Sequence, residues 1–133
     1  MSASTANSSR QRRFTLPRHL RLSGQRQFRA VFENAIRSSA GPLLLYGVAN
    51  ELEHPRYGLT VPRAVGTAVK RNRIKRLLRE AIRHTRHDWP GTYDVVIRVR
   101  PHSPLTVADY QAHILRALDS IHASWTKANA KSK

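Results

Sequence analysis

Residues 57–83 read YGLTVPRAVGTAVKRNRIKRLLREAIR, and the hydrophobic period changes partway along this stretch. The first six residues read as a strand closed by Pro62. From about Val65 the pattern is helical, with Ile74, Leu77, Leu78, Ala81 and Ile82 on one side of the wheel and Lys75, Arg76, Arg79, Arg83 and Arg86 on the other. A strand followed by a helix with one apolar stripe predicts a sheet with a helix docked on it. Residues 68–83 hold seven basic side chains and a single acid, Glu80. Like charges one helical turn apart repel by about 0.2–0.5 kcal/mol per pair. A negatively charged partner is therefore expected against this ridge.

Downstream, Trp89-Pro90-Gly91 stops the helix, and YDVVIRVR (93–100) alternates Tyr93, Val95, Ile97 and Val99 against Asp94, Val96, Arg98 and Arg100 as a half-buried strand does. Thr106 and Asp109 form a capping-box pattern, and Val107, Tyr110, Ile114, Leu118, Ile121 and Trp125 mark the core face of a last helix. Upstream, Ser23 can cap a helix over 24–35, with Phe28, Val31, Phe32 and Ile36 on one side and Arg26, Arg29 and Glu33 on the other. After the break at Ala40-Gly41-Pro42, LLLYGVA (43–49) is a strand, NELEHPR a polar turn, and YGLTVP a second strand expected to close a hairpin with it. Helix, strand, strand, helix, strand, helix is the order of an α+β or α/β sandwich, helices packed on a small sheet.

A chain of 133 residues supports one domain with a core of its own. The division expected is a flexible basic arm at 1–14, a domain at 15–126 and a basic tail at 127–133. The arm, free of acids, fits a disordered tail first, but also a nucleic-acid-contacting arm or an organelle transit peptide, and composition does not decide between them. A formal charge of +16 exceeds what solubility requires and points to a polyanion. Arginine far outnumbers lysine, which suits phosphate and base contacts. There is no cysteine, and no apolar run approaches the roughly 18 residues of a membrane span. No membrane association is expected, and a cytoplasmic protein fits best.

A metal-dependent nuclease needs clustered carboxylates, whereas the eight acids here are scattered, the nearest pair being Glu51 and Glu53 in a turn. His84 and His87 have a loose ligand spacing with no acid pair beside them, so no protein-bound metal is expected. No phosphate-binding glycine loop or nucleophile elbow is present. Phe28 and Phe32, four residues apart, fit either a core or a platform on which unpaired bases stack. Tyr46 shares one face of its strand with Leu44 and Val48. For the basic ridge, phosphate neutralisation fits better than a solvated face or a membrane-surface helix, because the apolar stripe is needed to hold the sheet.

These residues resemble the protein subunit of bacterial ribonuclease P. The resemblance rests on GLTVPRAVGTAVKRNRIKRLLREAIR, with its G-L-[ST]-V strand, Gly-x-Ala-Val entry and R-N-R-x-K-R-x-x-R-[EQ] run, on FRAVF and Tyr46 upstream, and on YDVVIRVRP downstream. It spans about residues 16 to 120. It implies a ribosomal protein S5 domain 2-like fold with a left-handed βαβ crossover. It also implies a partner RNA that is itself the catalyst and uses Mg²⁺ to remove the 5′ leader of precursor tRNA by hydrolysis. The protein is then expected to bind both that catalytic RNA and the single-stranded leader.

Carried over by motif, Phe28, Phe32 and Tyr46 line the leader cleft. Lys70, Arg71, Asn72, Arg73, Lys75, Arg76, Arg79 and Arg83 form the arginine-rich helix, with Arg63 just before it. No residue of the protein is implied to be catalytic or to bind metal. The sequence departs from the family at Pro62 and Ala64, where a hydroxyl residue and a lysine are common, at Ala35, where a glycine is, and at Glu33, where a base is. Two rival readings make different predictions. A structural RNA- or DNA-binding protein would show no preference for a single-stranded extension, and an autonomous nuclease would cleave by itself.

Overall fold

The computed structural model describes residues 16–132, so the expected arm at 1–14 lies outside the described residues. The elements are α1 (Gly24–Asn34), β1 (Ile36–Ala40), β2 (Leu43–Ala49), β3 (Arg56–Thr60), α2 (Ala68–Thr85), β4 (Tyr93–Val99) and α3 (Val107–Ser132). Short 3-10 turns cover Arg18–Leu20, Arg63–Val65 and Arg86–Asp88. The sheet order is β1-β2-β4-β3, antiparallel except for the parallel pair β3 and β4. The fold is α+β, a four-stranded mixed sheet with helices on both faces.

The expected hairpin between 43–49 and YGLTVP does not form, because β4 lies between the two strands. β4 is buried along its whole length except at Arg98, so its residues are covered on both faces, as suits a central strand. The alternation in YDVVIRVR had suggested a strand with one wet face; Asp94 and Val96 are in fact buried. β3 joins β4 in parallel through α2, the long crossover a parallel pair requires.

The partner that does close a hairpin with β2 is β1, a strand not foreseen, reached across Gly41, whose φ of +56° a side chain disfavours. Ile36, expected on the apolar side of the first helix, is instead the first residue of β1. Ala35 holds extended backbone (φ −76°, ψ 149°), so the position needs no glycine.

The larger core lies where Leu43, Leu45, Val95 and Ile97 of the sheet meet Ile74, Leu78 and Ile82 of α2 and Tyr110, Ile114, Leu118 and Ile121 of α3, all completely buried. A smaller cluster, Leu22, Val31 and Val96 with Phe28, Tyr46 and Val48 against it, lies under α1 on the other face. Thr106 and Asp109 cap α3 reciprocally, each backbone N–H donating to the other's side chain, and Thr67 Oγ1 accepts from Lys70 N at the start of α2. The Ser23 side chain makes no cap hydrogen bond; its N–H donates to Gln27 Oε1 instead (2.7 Å). α3 continues to Ser132 through the segment expected to fray, whose alanines and lysines are good helix formers.

Candidate nucleic-acid interface

Residues paired across a sheet share a face, so the strand register sorts the α1 side into rows. One row runs Arg37, Tyr46, Val96, Gly58, and the next Ser39, Leu44, Arg98, Thr60. α1 covers Tyr46, Val96 and Gly58 of the first row and leaves Arg37 exposed. Phe28 lies directly on β3, where a Cβ built on Gly58 would stand 2.5 Å from the Phe28 Cζ. Phe32 meets Tyr46 edge to face, centroids 4.8 Å apart at 82°, and stays 39 % exposed. The second row is open: Ser39 and Arg98 are exposed, Leu44 and Thr60 half-buried. The result is a groove with an aromatic wall and an apolar floor at Leu44, and with guanidinium groups at Arg37 and Arg98. Phe28 is thus half-buried against β3, while Phe32 presents its ring.

A third row neutralises its own charge. Arg56 donates to both oxygens of Asp94 (2.8 and 2.6 Å), and Asn50 Nδ2 donates to Asp94 Oδ1 (2.9 Å). The hydrogen bond to Asp94 raises the Arg56 pKa above its ordinary value. This arginine belongs to the scaffold.

On α2 the stripe Ile74, Leu78, Ala81 and Ile82 is buried, so the basic side chains are displayed on the other side. Arg63, Asn72, Arg73, Arg76 and Arg79 are exposed, and Lys70, Arg71, Lys75 and Arg83 are half-buried. Lys70 lays its stem over Gly66, and Arg71 Nε donates to the Gly66 carbonyl (3.2 Å), so both also brace the turn that starts the helix. Glu80 accepts from Arg83 and from His84. Partial burial works against it, yet these hydrogen bonds hold the Glu80 carboxyl below its usual range. Arg86, expected on the ridge, turns inward to line a small apolar hollow with Leu20, Tyr57 and Trp89, where burial lowers its pKa.

Among the described residues no three histidines, aspartates or glutamates are placed together to hold a metal ion. No described helix is long and apolar enough to cross a membrane. Sequence reasoning missed Arg37, Ser39, Gly58, Thr60 and Arg98. Two signals were available: a glycine inside a strand marks a close approach, and Arg98 interrupts an apolar run.

The sequence model of the family described as Ribonuclease P matches residues 16–122. The chain is also similar to solved structures. The ribonuclease P protein of Thermotoga maritima shares 24 % identity over 76 % of this chain and 96 % of that one, with a TM-score of 0.69. The Staphylococcus aureus protein shares 23 % over 76 % and 94 %, at 0.66. A mutant of the latter, described as defective in mRNA degradation, shares 22 % over 77 % and 87 %, at 0.68. At these identities the likeness carries the fold.

Proposed function

This chain belongs to the ribonuclease P family as a protein subunit of that tRNA-processing enzyme, and from that premise we propose that its two surfaces bind two RNAs. The groove takes the single-stranded 5′ leader of precursor tRNA, and the α2 ridge binds the catalytic RNA. The observation that carries this is the Phe32–Tyr46 pair, its Phe32 ring exposed and its Tyr46 half-buried, beside an open row ending in Arg98 and Thr60. Bases stack on aromatic rings without sequence preference, while guanidinium groups follow the phosphates. Thr60 stands three residues before Arg63, so the end of the groove meets the start of the ridge.

In this reading Phe32 and Tyr46 hold leader bases, Arg37 and Arg98 neutralise its backbone, and Arg63, Asn72, Arg73, Arg76 and Arg79 contact RNA phosphates from the ridge. Mg²⁺ bound by the RNA subunit supplies the activated water. The protein's contribution is to fix the leader, and with it the scissile phosphodiester, in one geometry before attack. The test is cleavage of a leader-bearing precursor at low Mg²⁺ with protein alone, RNA alone, and both. Correct 5′ maturation only with both is expected. Tight RNA binding with no stimulation at any Mg²⁺ concentration would leave a structural RNA-binding protein, and cleavage by protein alone would reveal an active site in the chain.

A further inference from the structure

The open row of the groove ends in a hydroxyl on each side. Ser39 of β1, Leu44 of β2, Arg98 of β4 and Thr60 of β3 stand abreast in the strand register, and three strand spacings separate the two ends, about 14 Å. Each hydroxyl has a guanidinium as its neighbour. Ser39 lies two residues from Arg37 on the same face of β1, and Thr60 is the direct register partner of Arg98. Arg37, Ser39 and Arg98 are exposed and Thr60 is half-buried. Among the described residues no side-chain hydrogen bond occupies either hydroxyl, and neither arginine has a carboxylate partner. Other hydroxyls of this fold are engaged: Thr67 and Thr106 cap α2 and α3, and Thr85 donates to the Ala81 carbonyl (2.8 Å).

A guanidinium beside a hydroxyl, met twice on one face, matches a repeat of the RNA backbone, in which each 3′-phosphate sits on the carbon next to the one carrying the 2′-hydroxyl. Guanidinium forks take phosphate oxygens, and a serine or threonine hydroxyl both donates to and accepts from a 2′-OH. That group is what separates RNA from DNA at a protein surface. Resting on the leader-groove reading above, we propose that Ser39 and Thr60 recognise ribose 2′-hydroxyls of the leader, so that the protein itself selects a ribonucleotide strand. The aromatic pair stacks on bases and the arginines meet phosphates, both of which DNA shares. The two hydroxyls are therefore the groove's determinants of the sugar.

The test uses the reconstituted holoenzyme and two precursors that differ only in the leader sugar, ribose or 2′-deoxyribose, with the nucleotide at the scissile bond kept as ribose in both. Mature tRNA is the leaderless reference. The wild-type chain is expected to bind the ribose leader roughly tenfold more tightly than the deoxy leader. Ser39→Ala and Thr60→Val should each cut that ratio about threefold by weakening only the ribose form, and the double variant should bring it close to one. Thr60→Ser keeps the hydroxyl and should keep the ratio. A wild-type ratio near one overturns the proposal. So does a ratio that survives in the double variant, which would place the preference in the RNA subunit or in the leader's own conformation. An equal loss for both leaders overturns it too, by making the hydroxyls phosphate ligands. If the wild-type holoenzyme prefers neither precursor over mature tRNA, the leader-groove reading falls as well; a leader preference without a sugar preference overturns this inference alone.

Discussion

Phe28 and Phe32 stand one helical turn apart and are bound by different constraints. Phe28 is wedged between α1 and the β3 backbone, and its seat exists because position 58 has no side chain. Gly58→Ala should therefore lower stability by about 1–3 kcal/mol, since a Cβ cannot fit without moving the ring. Denaturant melts would show it, and pairing the change with Phe28→Leu should recover part of the loss; strict additivity would mean that the two positions do not touch. Phe32 is only partly covered, so Phe32→Ala should cost little stability. Stacking on one base is worth about 1–3 kcal/mol, and precursor affinity should fall by that amount while mature tRNA binding stays constant. An equal fall for both would make the ring a structural residue.

At the scale of elements, β4 decides what the groove is. It is central, buried on both faces and interrupted by a single exposed side chain, Arg98, which lies in the open row between Leu44 and Thr60. Arg98→Gln should leave folding unchanged and reduce the salt dependence of leader-bearing precursor binding by about 0.7 in slope, the value for one phosphate on a single strand. An unchanged slope would remove Arg98 from the leader path. α2 works in the opposite sense: its buried stripe anchors it to the core, and that anchoring keeps its charged side turned outward. Arg86 marks where the ridge ends, because the 3-10 turn at Arg86–Asp88 carries the chain back toward Trp89 and the core.

Across the whole molecule, Asp94 ties β4 to β3 through Arg56 and to the loop after β2 through Asn50, in a chain that otherwise carries a large excess of positive charge. Asp94→Asn leaves a half-buried guanidinium without its counter-ion and should cost about 1–3 kcal/mol in a denaturant melt; a loss below the scatter of surface substitutions would show the pair to be incidental. The sequence determined the three helices, β2, the segments of β3 and β4, the basic ridge and the aromatic pair, because each is written in a local period or a contiguous motif. It did not determine β1, whose five residues IRSSA are too few and too polar to show a period, or the insertion of β4 between β2 and β3. Nor did it show that Arg37, Ser39, Arg98 and Thr60 share the sheet face that carries Tyr46. Periodicity records which side of an element is apolar, whereas these neighbours come from residues far apart in the chain, and only the packing of the sheet and its helices brings them together.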